Sequence, residues 1–198
     1  MVVKTREKLI DVARQLFAHK GIENTTMSDI ANASDKGRRT IYTYFKSKKE
    51  IYNAVIERES EQLVSKLRVM ASRSDITPSE KIALFIDLRV DVIIDSIVQY
   101  HDGSAMLRSL FMRNVKKIEK IRYLALEKER EILDEIVKEG LKTGEFDAER
   151  TRDLFPAVVM MFQGLELSYF RNNFTQLGLD RDLIKDNIRH HILSAITK

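Results

Sequence analysis

The sequence predicts an all-α protein of about nine helices, an N-terminal three-helix helix-turn-helix domain followed by a larger helical domain. Three observations carry this. Only two prolines and seven glycines occur in 198 residues, too little punctuation for strands and hairpins. Apolar residues recur at helical spacing, and no segment shows strand-like alternation or an internal repeat. The breaks between apolar stripes carry helix caps, such as the Thr77, Pro78 and Glu80 run, where Pro takes the first helical position and Glu the third.

The elements follow in order. Leu9, Val12, Ala13, Leu16 and Phe17 form the stripe of a first amphipathic helix, which Gly21 ends. In TTMSDIANA, Thr25 or Thr26 caps a second helix of about two turns, with Asp29 where a capping box places Glu or Gln, and Met27, Ile30 and Ala31 on its apolar face. After the turn residues Asp35 and Gly37, Ile41, Tyr44 and Phe45 keep helical spacing, so two short helices joined by a tight turn make a helix-turn-helix. Ser47 and Glu50 start a connector helix that Ile51, Ala54, Val55, Leu63, Leu67 and Met70 carry to 71. Beyond it the spacing predicts helices over 78–100, 104–113, 115–141, 148–173 and 180–196, broken by HDGS, KTGEFD and QLGLD. The domains so defined are 1–50 and 51–198, joined by the connector over 48–71.

Composition bounds the function. With 43% hydrophobic and 32% charged residues the chain is of globular class. The absence of cysteine removes disulfides, thiolate metal sites and a cysteine nucleophile. No apolar run approaches the ~18 residues of a membrane span, and the N-terminus begins an amphipathic helix without the apolar core of a secretory signal. A cytoplasmic protein without membrane partners is expected. Residues 1–58 hold 12 Lys and Arg against 7 Asp and Glu, net +5, whereas 59–198 hold 22 against 23, net −1. The excess positive charge belongs to the first domain, which points to a polyanion partner. His19, His101, His190 and His191 have no metal-ligand spacing, and no phosphate loop, nucleophile elbow or carboxylate and histidine constellation occurs. The expectation is a protein that is not an enzyme and holds neither metal nor cofactor.

The helix from Arg38 to Phe45 occupies the place of the recognition helix, which lies in the DNA major groove. Arg38, Arg39, Thr40 and Thr43 are polar and project away from Ile41 and Phe45. Arg reads guanine O6 and N7; Thr bonds a base edge or touches a thymine methyl. Tyr42 and Tyr44 offer hydroxyls to phosphates while their rings pack. Lys46, Lys48 and Lys49 lie at the start of the connector, where helix N–H groups also attract phosphate. Thr26 has two readings, N-cap and phosphate contact.

From Thr25 to Ile51 the chain resembles the N-terminal DNA-binding domain of the TetR family of bacterial transcriptional regulators. The carrying residues are the Thr pair, Ile30-Ala31, and Thr40-Ile41-Tyr42 with Tyr44-Phe45, Ser47-Lys48 and Ile51. The resemblance covers about the first 55 residues, and beyond them only the helical architecture matches. It implies DNA contacts at Arg38, Thr40, Tyr42, Tyr44 and Lys48; Arg39 is added from its charge and place. The chain departs from the family at Ser34, Asp35, Lys36, Gly37, Arg38 and Arg39, where the usual run is Ala-Gly-Val-Ser-Lys-Gly.

The resemblance further implies a homodimer on double-stranded DNA, with the last two helices forming a four-helix bundle, and a small-molecule effector. The helix over 148–173 is apolar on two faces: Phe155, Val158, Val159, Phe162, Tyr169 and Phe170 on one, Ala157, Met160, Met161, Gly164, Leu165 and Ser168 on the other. The second face, with Ile188 and Ile192 of the last helix, is the expected dimer surface. One helix-turn-helix reads few bases, and two-fold dimers set two recognition helices about one DNA turn apart. Arg89, Tyr100, Phe111, Met112, Phe162, Glu166 and Tyr169 are candidates for the effector pocket. The same residues also read as a buried Arg89–Glu166 pair in an ordinary core. The function so expected is a ligand-released repressor; a rival is an architectural or division-linked DNA-binding protein that answers to a protein partner and has no ligand.

Overall fold

In a computed structural model the protein is helical, and residues 2–98, 105–170, 174 and 177–198 are described, the side chains of 2, 3, 96–98, 105–119, 167, 169 and 170 excepted. Eight helices occur among the described residues: α1 (Val2–Lys20), α2 (Met27–Ala33), α3 (Arg38–Tyr44), α4 (Lys48–Ala71), α5 (Pro78–Val98), α6 (Ala105–Thr143), α7 (Leu154–Phe170) and α8 (Arg181–Ile196). None is long and apolar enough to cross a membrane.

Two boundaries differ from the sequence reading. The helices expected over 104–113 and 115–141 are one, α6, of 39 residues. No proline interrupts it and its single glycine, Gly140, comes in the last turn, so nothing in that stretch stops propagation once begun. The next helix starts at Leu154, not 148. Residues 148–153 instead form turns: the Asp147 carboxylate accepts from the Glu149 and Arg150 amides, and the Thr151 hydroxyl donates to the Asp147 carbonyl. A side chain that offers the backbone such local bonds competes with a helical start.

The chain divides into two compact units. The first comprises Met1–Glu61 with Val98–Tyr123. Its core is Leu9, Ile10, Ala13 and Phe17 of α1, Ile22, Ile30 and Ala31, Ile41 and Phe45, and Ile51, Tyr52, Ala54 and Val55 of α4, all buried. Phe17 and Tyr52 meet edge to face at 6.3 Å, and burial pushes the Tyr52 phenol up to about 12.

The second unit comprises Gln62–Ile97 with Leu124–Lys198. Its core joins Leu67 and Met70, Phe85 and Ile93, Ile132 and Ile136, Phe146, Val158, Phe162 and Ile196. Thr77 and Glu80 cap α5 reciprocally at 3.2 and 2.7 Å, and Ser79 donates to Glu145 from its amide and its hydroxyl. A ladder of charge joins α5 to α8. Asp87 receives Arg189 at 2.8 Å, Asp91 receives Lys185 at 2.6 Å and Arg181 at 3.1 Å, and Asp95 receives Arg181 at 2.5 Å.

Candidate nucleic-acid interface

The first unit presents α3 as a helix locked on one side and bare on the other. Ile41 is fully buried and Phe45 nearly so; burying each contributes roughly 1.5–3 kcal/mol. Arg6 of α1 lies over the Phe45 ring at 5.4 Å and Tyr44 packs against the same core. With that face fixed, Arg38, Arg39, Tyr42 and Thr43 are exposed and Thr40 half-buried.

The turn in front of α3 is set by the end of α2. The Thr26 hydroxyl accepts from the Asp29 amide at 3.1 Å while the Asp29 carboxylate accepts from the Thr26 amide at 2.7 Å, a capping box made with Asp. That amide, with the Lys20 ammonium 3.0 Å away, holds the Asp29 carboxyl down at about 2. Thr26 is exposed beside this box, whereas Thr25 is buried with its hydroxyl donating to the Gly21 carbonyl. At the other end of α2 the Asp35 amide donates to Asn32 and the Lys36 amide to Ala31, the paired bonds of a Schellman motif. Asp35 takes the left-handed position, φ +54°, that glycine usually fills. Gly37 then caps α3 without a side-chain bond.

Charge separates the two sides of this unit. Arg14 pairs with Glu59, Lys20 with Asp29, Lys8 with Asp35, and Arg58 with Glu7 and Asp11. By contrast Lys36, Arg38, Arg39, Lys46 and Lys49 make no side-chain hydrogen bond or ion pair among the described residues. All five bracket α3. Unpaired cations gathered on one helix and its flanks, on an outer face anchored from beneath, are the electrostatic footprint of a phosphate backbone. Lys49 was already singled out in the sequence by its place at the start of the connector; Lys36 joins the set here, and its signal in the sequence was charge alone.

Lys48 is the exception. Its ammonium donates to the carbonyls of Ile22 at 2.6 Å and Glu23 at 3.2 Å, and desolvation holds it below the usual lysine range. The expected phosphate contact is thus turned toward backbone carbonyls behind α1, a partnership 26 residues away that local spacing does not reveal. Thr43 donates to the Arg39 carbonyl at 3.2 Å, which leaves its methyl and a lone pair outward.

The second unit brings together Arg89, Phe162 and Glu166 of the effector candidates. Arg89 lies over the Phe162 ring at 5.2 Å, with Nη2 4.0 Å from Glu166. Its nearer partner is Glu129, at 3.2 Å, which the sequence reading missed because α6 offers many exposed acids with the same spacing. Burial raises the Glu129 carboxyl above its ordinary range, with Arg89 opposing. Tyr100 lies outside the described residues, as do the side chains of Phe111, Met112 and Tyr169. An open groove of about 530 Å³ runs elsewhere in this unit, between Arg130, Leu133 and Val137 of α6 and Leu154, Phe155, Val159 and Met160 of α7.

Of the expected dimer surface, Ala157, Met160 and Gly164 are exposed. Met161, Leu165, Ile188 and Ile192 are half-buried against the unit's own core, and Ser168 is half-buried. No group of three or more His, Asp or Glu that could hold a metal occurs among the described residues.

A capped helix, a tight turn and a second helix with a bare cationic face make a helix-turn-helix, the motif that places a helix in the DNA major groove. Residues 9–55 match the model of the bacterial regulatory proteins of the tetR family. Over 51 residues the chain is 41% identical to the probable acrEF/envCD operon repressor of Escherichia coli K12, a match that covers 26% of this chain and 23% of that one. The chain therefore matches less than a quarter of that relative's length. Over 171 residues it is 28% identical to the regulator TtgR of Pseudomonas putida, covering 80% of this chain and 75% of that one. A transcriptional regulator from Cytophaga hutchinsonii shares the fold, with a TM-score of 0.76, 23% identity and coverage of 97% and 98%. The likeness to the tetR family is thus carried in sequence by residues 9–55, and beyond them the likeness is one of helical fold.

Proposed function

We propose that the protein is a transcriptional repressor that binds a palindromic operator as a homodimer and is released by a small apolar or amphipathic molecule. The carrying observation is the set of unpaired cations around α3. Arg38 and Arg39 face base edges, Thr40 and Thr43 read beside them, and Thr26, Tyr42, Tyr44 and Lys46 bind phosphates. Related chains named as repressors support the sign of regulation. The dimer forms through Ala157, Met160, Met161, Gly164, Leu165 and Ser168 with Ile188 and Ile192. The effector enters the second unit near Arg89, Phe162 and Glu166. Release requires that it bind the DNA-free arrangement more tightly than the DNA-bound one, with α4 as the lever.

Selection of duplexes from a random pool tests this reading. Arg38→Ala relaxes preference at one base pair and weakens binding to the selected duplex by about 1–3 kcal/mol, whereas Lys46→Ala weakens all duplexes alike and lowers the salt slope by about one. Equal losses on selected and random DNA for both variants would overturn the division of roles. A panel of small molecules is then screened by thermal shift, and an effector must both stabilise the protein and release the selected duplex. No such molecule in a broad apolar panel sinks the ligand-released mechanism.

A further inference from the structure

We propose that Lys48 is a positioning residue for DNA binding and not a phosphate contact: its ammonium pins the first residue of α4 to the Ile22 and Glu23 carbonyls, and so sets how α2 and α3 are presented. This rests on the DNA-binding reading above.

The geometry carries it. The two carbonyls stand 2.6 and 3.2 Å from Nζ. They directly follow the C-terminal end of α1, where the helix dipole favours a cation. The carboxylates of Glu23 and Asp29 also act on this ammonium. An ammonium so engaged inside the protein neutralises no phosphate and so displaces no counterion from the DNA. Turning it outward would abandon two charge-assisted hydrogen bonds for one. The neighbouring Lys46 and Lys49 ammonium groups have no such partners among the described residues.

The segment held by Lys48 runs straight into the recognition unit. Ile22 is buried, Thr25 donates to Gly21 at 2.8 Å, and Thr26 caps α2. The position of that cap fixes α2, whose end forms the Schellman turn that starts α3. A lysine at the first position of the connector thus acts on the reading helix through the opposite end of the helix-turn-helix.

The test uses the full chain at temperatures where circular dichroism shows each variant folded. Binding is measured between 50 and 200 mM salt, a range over which phosphate contacts express themselves. Two probes are used, a duplex selected by the wild type from a random pool and a mixed-sequence duplex of equal length. Lys46→Ala serves as the phosphate comparator and lowers the salt slope by about one. Lys48→Met is expected to keep the wild-type slope while weakening the selected duplex roughly tenfold at every salt, from the loss of the tie. In the free protein it also speeds amide exchange of residues 26–30. A slope lowered by about one with unchanged exchange makes Lys48 a phosphate contact and overturns the proposal. Unchanged affinity with a lower melting temperature makes the tie merely structural and overturns it too. Wild-type protein that binds neither duplex removes the DNA-binding reading itself, an outcome distinct from both.

Discussion

A Cβ built on Gly140 would stand 2.1 Å from Cδ2 of Phe146 and within 2.7 Å of two further ring atoms. Helix propensity alone favours alanine over glycine by about 1 kcal/mol in a helix interior. Packing reverses the sign here. Phe146 is 1% exposed, and its amide donates to the Gly140 carbonyl at 3.1 Å, so the ring cannot retreat without breaking the turn that follows α6. Gly140→Ala is expected to destabilise the fold by about 3 kcal/mol, at the upper end of overpacking, in urea denaturation. A neutral or stabilising result would show that Phe146 leaves this site in solution. Asp35 shows the opposite tolerance. It accepts a left-handed backbone because Asp is among the residues least penalised there, so the turn holds this conformation at a position where the resembled family usually has glycine.

Caps set the start of the reading elements. The capping box of α2 depends on an ionised Asp29, whose carboxyl is lowered from 3.8 to about 2, chiefly by the Thr26 amide and then by Lys20. The folded value lies below the unfolded one, so the contribution is fully present above the ordinary carboxylate range. It fades as pH falls from 3.8 through about 2. Nuclear magnetic resonance of the Asp29 carboxyl carbon is expected to give a midpoint near 2, and a midpoint at the ordinary 3.8 would mean the box is open in solution. The box was legible in the sequence because both partners lie within one turn, as was the Thr77 and Glu80 box of α5. The α5 to α8 ladder was not. Asp87 and Arg189 are separated by 102 positions, and nothing in the local spacing of either helix names the other. The continuity of α6 was missed for a different reason: the sequence reading set a boundary between 113 and 115, where neither proline nor glycine stands to stop a helix.

At the scale of the whole molecule, the two cores were readable as apolar stripes, and so was the recognition helix, because Ile41 and Phe45 fix which side faces out. What the sequence could not supply was partnership at a distance: Glu129 for Arg89, and the carbonyls for Lys48. The same limit applies to the proposed second copy of the chain, for which the bare face of α7 is the best guide. Met160 is 71% exposed on a helix rich in apolar residues, and around the Gly164 Cα an added Cβ would meet nothing within 4 Å. A self-paired surface of stable size buries about 800 Å² per partner, with apolar anchors near its centre. In the proposed dimer, Met160→Glu puts a carboxylate into the paired apolar face of each copy. The variant is expected to sediment as a monomer with an unchanged helical spectrum. One head then contacts half the phosphates, so the salt slope of binding falls to about half its dimer value and preference for a palindrome over a single half-site disappears. If Met160→Glu remains dimeric and keeps its slope, the pairing surface lies elsewhere than this face of α7.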